Sequence, residues 1–234
     1  RSVVPGSERG AFVRLARADA VTAWLTFGAP GVGPVVYLSR DAGLSWEGPV
    51  PVCPAEYPNL RWLGAADAQV AWAVCGGAPA PYESDYTKAV LRSVDGGRNW
   101  TLQLEVTDPL APAGLLKLAE VNDLQALSAE RAVITQCPGR IPGSSAPSGM
   151  VILTQDGGLT WAGAEPAEAF SGLQCYSDVR FNGPTLGWAW SVEGIALSLD
   201  GGFTWSAAAW PANFVSIPYP PQDWPPDLST YPTQ

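Results

Sequence analysis

Ser39-Arg40-Asp41-Ala42-Gly43-Leu44-Ser45-Trp46 is the stretch that decides the fold, because it recurs. The same frame returns as Ser93-Val94-Asp95-Gly96-Gly97-Arg98-Asn99-Trp100, Thr154-Gln155-Asp156-Gly157-Gly158-Leu159-Thr160-Trp161 and Ser198-Leu199-Asp200-Gly201-Gly202-Phe203-Thr204-Trp205. Four matches to Ser/Thr-x-Asp-x-Gly-x-x-Trp make it a structural unit. Each anchor has a physical task. The Asp carboxylate accepts backbone N–H groups within a hairpin turn, the Gly supplies positive φ, and the hydroxyl ties the turn to the strand before it. The Trp lies on the outgoing strand, where it fills the wedge between neighbouring sheets. The aspartates are thus expected to brace turns rather than carry out chemistry.

A second pattern precedes each of these turns: Ala18-Asp19 to Trp24, Ala66-Asp67 to Trp72, Leu127-Ser128 to Val133, and Asn182-Gly183 to Trp188. Each reads as a turn leading into a strand. Apolar runs before it (Phe12–Leu15, Leu60–Leu63, Leu115–Leu118, Tyr176–Phe181) and after it (Val35–Leu38, Ala89–Leu91, Met150–Leu153, Gly194–Leu197) complete four strands per unit. The repeated aspartates lie 54, 61 and 44 residues apart, the size of a propeller blade. The expected architecture is all-β: a β-propeller of four-stranded antiparallel blades at about 11–52, 53–106, 113–166 and 173–207, within a domain spanning 1–207. A closed four-bladed ring is favoured, and part of a larger propeller is the alternative. Residues 208–234 read as a separate extension rich in Pro and aromatic residues, in which helix and central strand are forbidden.

Composition fits many short strands joined by turns. The 234 residues include 25 Gly, 23 Pro and 11 Trp. The net charge is −9, Lys88 and Lys117 are the two lysines, and no Lys/Arg cluster is visible along the chain, so nucleic acid is not an expected partner. There is no His, which removes the commonest general base and metal ligand. No metal site and no cofactor is expected. No apolar run reaches the length of about 18 residues that a membrane-spanning helix needs. The chain begins at Arg1, as a processed or partial sequence would, and a lipid anchor lost upstream is kept as an alternative.

Strand direction places the loops between second and third strands, and the links between blades, on one face. Cys53, Cys75, Cys137 and Cys175 all map there. Disulfides Cys53–Cys75 and Cys137–Cys175 are expected, each contributing about 3–4 kcal/mol, although other pairings stay open. They imply an oxidising, extracytoplasmic compartment. The same face carries Tyr57, Tyr82, Glu83, Asp85, Tyr86, Arg140 and Tyr176, and the extension adds Tyr219 and Trp224. Tyr, Trp and Arg are favoured at binding hot spots, so these are the candidate partner-binding residues.

The repeated turn resembles the Asp box, or BNR repeat, and the full pattern of small-Trp strand, loop and Asp-Gly-Gly-x-Thr-Trp looks like the propellers of the photosystem II assembly and stability factor family. That resemblance implies a non-enzymatic role in binding or assembling other proteins, and no enzymatic activity is expected. Partners would be other proteins, copies of the chain itself, or a larger envelope or surface complex. The alternatives are a structural subunit of a surface layer or fibre and, more distantly, a sialidase-like glycoside hydrolase. Against the last, the Arg-Ile-Pro signature of sialidases is missing near the start, where Phe12-Val13-Arg14-Leu15 stands, and Arg140-Ile141-Pro142 falls deep in the third blade.

Overall fold

The computed structural model describes residues 12–29, 32–77, 87–106, 119–138, 150–164, 178–191 and 194–208. These residues form sixteen strands in four antiparallel sheets, with no helix among them. The first sheet is β1 (Phe12–Arg17), β2 (Ala23–Ala29), β3 (Val32–Ser39) and β4 (Glu47–Pro51). The second is β5 (Asn59–Ala65), β6 (Ala71–Gly76), β7 (Lys88–Ser93) and β8 (Thr101–Val106). The third is β9 (Ala119–Ala126), β10 (Ala132–Pro138), β11 (Met150–Thr154) and β12 (Ala162–Ala164), and the fourth is β13 (Asp178–Asn182), β14 (Leu186–Ser191), β15 (Gly194–Ser198) and β16 (Ser206–Ala208). Within each sheet the strands lie in sequence order, so every blade is a simple meander.

Alternation of side chains gives each blade two apolar faces. In the second blade, Ala71, Ala73, Cys75 and Leu91 pack toward the first blade, while Trp72, Val74 and Val90 pack toward the third. The third blade sends Val133, Val151 and Leu153 against Val179, Ala189 and Ala196 of the fourth. Sheets approach most closely through β1, β5, β9 and β13, which places the first strand of each blade at the hub. Gly64 permits that approach: a Cβ there would stand 2.8 Å from the Ala126 nitrogen on β9.

The hydrophobic clusters join blade 1 to 2, 2 to 3 and 3 to 4, and among the described residues none joins blade 4 to blade 1. Among the described residues the blades therefore form an open row. The first strand of the third blade also differs from expectation. It is β9, whereas Leu115–Leu118 lie outside the described residues. Val121 and Leu124 are buried on its core side.

Cys53 and Cys75 are joined, with Cα atoms 5.8 Å apart, tying the link before β5 to the end of β6. The Cys137–Cys175 pairing lies outside the described residues.

Candidate functional site

The four repeated turns share one hydrogen-bond scheme. Ser39 Oγ donates to Asp41 Oδ1 at 2.9 Å and accepts the Gly43 amide at 2.8 Å, while Asp41 accepts the amide and hydroxyl of Ser45 at 2.9 and 2.6 Å. Ser93, Asp95, Gly97 and Asn99 repeat it, as do Thr154, Asp156, Gly158 and Thr160, and Ser198, Asp200, Gly202 and Thr204. Each carboxylate is consumed within its own turn. The Thr160 hydroxyl and amide hold Asp156 down at about 2, and Ser45 lowers Asp41 in the same way. For Asp95 and Asp200 burial pushes upward, but the donors on Asn99 and Thr204 outweigh it and both end below the ordinary value. Such carboxylates remain ionised and are poor general acids near neutral pH.

The tryptophans seal the blade interfaces. Trp100, Trp161 and Trp205 donate their indole N–H to the carbonyls of Gly97, Gly158 and Gly202 at 3.1, 3.2 and 2.9 Å. Trp24 reaches across from the first blade, meets Trp100 edge-on at 6.4 Å and donates to Asp67 O at 2.9 Å. Trp72 repeats this against Trp161 and Ser128 O of the third blade. The third blade has Val133 at the equivalent position, and Phe181 fills the space against Trp205 instead.

The chemistry-bearing cluster is at the hub. Each contributing residue sits on the first strand of its blade: Arg14 on β1, Arg61 and Trp62 on β5, Asp123 on β9 and Arg180 on β13. The Arg14 guanidinium lies 4.2 Å from the centre of the Trp62 ring, a cation–π stack. Trp62 is itself pinned by donating to Val121 O at 2.6 Å. Arg180 Nη1 donates to Asp123 Oδ2 at 2.5 Å, and Gln125 Nε2 reaches the same carboxylate oxygen at 3.3 Å. Burial and then the neighbouring Arg61 hold the Arg14 guanidinium below its ordinary value, while Asp123 opposes them. It stays charged at any physiological pH. Among the described residues these first strands bring arginines from three blades to the hub of a chain whose net charge is −9. The sequence showed no arginine cluster because these residues are distant along the chain, and only the arrangement of blades gathers them.

Of the residues expected to bind a partner, Tyr57 is among the described ones. Tyr57 is 6 % exposed in the core between blades 1 and 2, and its hydroxyl donates to Glu105. Burial, then that carboxylate, push its pKa up to about 12, and its place in the core makes it a packing residue. Tyr82, Glu83, Asp85, Tyr86, Arg140, Tyr176, Tyr219 and Trp224 lie outside the described residues. Among the described residues no group of three His, Cys, Asp or Glu side chains is placed to hold a metal ion.

No family model and no curated protein matches the chain. Solved structures do. YCF48 bound to D1 peptide superimposes with a TM-score of 0.50 and 19 % identity, covering 84 % of this chain and 55 % of that one. An ancestral GH74 enzyme gives 0.51 and 15 %, covering 88 % of this chain and 25 % of that one. A PL25 ulvan lyase bound to -[GlcA(1-4)Rha3S]- gives 0.52 and 11 %, covering 84 % and 54 %. The fold is a β-propeller. This chain spans about half the length of YCF48 and the lyase, and a quarter of the GH74 enzyme. The expectation that the chain has no enzymatic activity is corrected by these neighbours. The same fold carries a GH74 enzyme and a polysaccharide lyase, so the fold does not separate this chain from enzymes.

Proposed function

We propose that this chain is an extracytoplasmic propeller of Asp-box repeats that binds a protein partner by gripping an acidic or carboxyl-terminal peptide segment at its hub. The carrying observation is the Arg14 guanidinium held on the Trp62 ring at the hub, beside first strands that carry Arg61 and the Arg180–Asp123 pair. Guanidinium groups recognise carboxylates through paired N–H donors, and the indole holds one of them in place. Asp123 fixes Arg180, and the Arg14 guanidinium, stacked on Trp62, is the group offered to an incoming carboxylate. The Cys53–Cys75 disulfide supports an oxidising compartment. The likeness to YCF48 bound to D1 peptide supports a peptide ligand, and assembly of a larger envelope complex is the setting such a role suits.

The test is fluorescence anisotropy with a labelled random peptide library bearing free carboxyl ends, run beside the same library amidated and beside an oligouronate. Binding should favour free carboxyl ends, weaken with added salt and fall at least tenfold, about 1.4 kcal/mol, in the Arg14→Glu/Arg61→Glu variant. Equal binding of both libraries, or no loss in that variant, overturns the reading. Preference for the oligouronate would assign the hub to an acidic saccharide instead.

A further inference from the structure

The two end faces of the open row are built like the two halves of an interior blade contact. In the interior contacts, side chains of one blade press on the turn of the next. Trp24 lies over Gly97 and Trp100, and Trp72 meets Trp161. Arginines add a clasp. Arg40 lies against Gly96, Arg92 Nη1 donates to Ala129 O at 2.8 Å, and Arg131 Nη2 donates to Gly201 O at 3.3 Å.

The fourth blade presents the same face, uncovered among the described residues. Trp188, the counterpart of Trp24 and Trp72, is 40 % exposed, whereas those two are fully buried. The positions that carry Arg40, Arg92 and Arg131 in the earlier blades are Leu199, Leu197 and Leu186 here. The first blade presents the receiving half. Leu15, the counterpart of Leu63 in the core between blades 1 and 2, is 64 % exposed. Its turn is also changed. Where the later turns have Gly96, Gly157 and Gly201 beneath an arginine, it has Ala42, at φ 58°. The two ends have thus changed together: arginine over glycine in the interior, leucine and alanine at the ends.

We propose that a second copy of this chain seats its first blade on the outward face of the fourth, head to tail, repeating the interior contact. Trp188 then packs on Gly43 and Trp46 of the other copy, its indole N–H facing the Asp19 carbonyl as Trp24 faces that of Asp67, and Leu199 covers Ala42. Such an interface is heterologous: two copies close a ring with two equal contacts when the rotation allows, and extend into a longer array when it does not.

Sedimentation velocity on the chain, across a micromolar to millimolar range, should show a species of at least twice the monomer mass. A monomer throughout overturns the proposal. Trp188→Glu and Leu15→Glu, both exposed positions, should each give a monomer with an unchanged far-ultraviolet circular dichroism spectrum. Persistence of the dimer in either variant overturns it. Mixing the two variants supplies one intact fourth-blade face and one intact first-blade face, so a heterodimer should return. Failure of the mixture to associate, with both variants folded, also overturns the head-to-tail geometry.

Discussion

The turn of the first blade and those of the other three differ in sequence by little, yet they stand in different surroundings. In blades 2 to 4 the turn glycines are covered by the preceding blade: a Cβ added at Gly97 would come within 2.7 Å of Trp24, and one at Gly157 within 2.0 Å of Arg92. In the first blade, Ala42 and Gly43 are exposed, and a Cβ at Gly43 would meet only its own Trp46, at 3.7 Å. Trp46 also lacks, among the described residues, the indole-to-glycine bond that its three counterparts make. The lesson is that the Ser/Thr-Asp hydrogen bonds are intrinsic to the turn, whereas burial of its glycines and tryptophan is conferred by a neighbouring blade.

The largest effect expected from this contrast is at the tryptophans. Trp72→Ala removes a fully buried indole that bridges two blades, and should cost about 3–5 kcal/mol in urea unfolding. Trp188→Ala, measured on the isolated monomer, should cost less than about 1 kcal/mol because its ring already meets solvent. Equal losses would show that the fourth blade's outward face is as packed as an interior one.

Next in size is the disulfide. Cys75 is buried in the interior face of blade 2, at the position held in the first blade by half-buried Phe27. The link closes a separation of 22 residues, so replacing both cysteines with Ala should lower stability by about 3 kcal/mol. A loss below about 1 kcal/mol would mean that the packing of blades 1 and 2 fixes this segment without the covalent tie.

How much of this was legible in the sequence follows from how local each feature is. The turns, their donors and the Cys53–Cys75 link depend on residues close in the chain or on adjacent strands, and the spacing of Ser39, Asp41, Gly43 and Trp46 exposes them directly. The arginine hub does not. Arg14, Arg61 and Arg180 come from three blades, and no short-range pattern marks a residue that points to a common axis. Tyr57 misled because a Tyr in a link reads as exposed, and only the tertiary fold shows its ring under two blades. The open row was hidden for the same reason: four copies of a blade say nothing about the angle between them, whereas the exposure of Trp188 and Leu15 does.

A smaller effect tests the turn glycines themselves. Gly157 has φ 78°, and Gly157→Ala would add both backbone strain and a clash with an arginine that is already bound to Ala129 O. A cost of about 1–3 kcal/mol is expected. Ala42→Gly changes the same position in the uncovered turn. It relieves the left-handed strain of Ala42 but loosens the unfolded chain, and these nearly offset, leaving less than about 1 kcal/mol. Thermal unfolding of both variants measures the difference; a Gly157→Ala protein as stable as the parent would show that Arg92 moves aside freely.

The smallest effect asks whether the carboxylates share the glycines' dependence on neighbours. Asp41 lies in the uncovered turn and Asp156 in a covered one, yet both are held below the ordinary 3.8 by the same donors, at residues 45 and 160. A depressed folded-state pKa means that the ionised form is favoured by folding. The resulting stability is present in full above about pH 4 and is lost as the pH falls toward about 2, where Asp156 takes up its proton. Acid should therefore weaken the protein between those limits, and carbon-detected NMR titration should find both carboxyl groups titrating below 3.8. If Asp41 instead titrates at the ordinary value while Asp156 does not, then the turn needs a covering blade to form its hydrogen bonds, and the division between intrinsic bonding and conferred burial fails at the first blade.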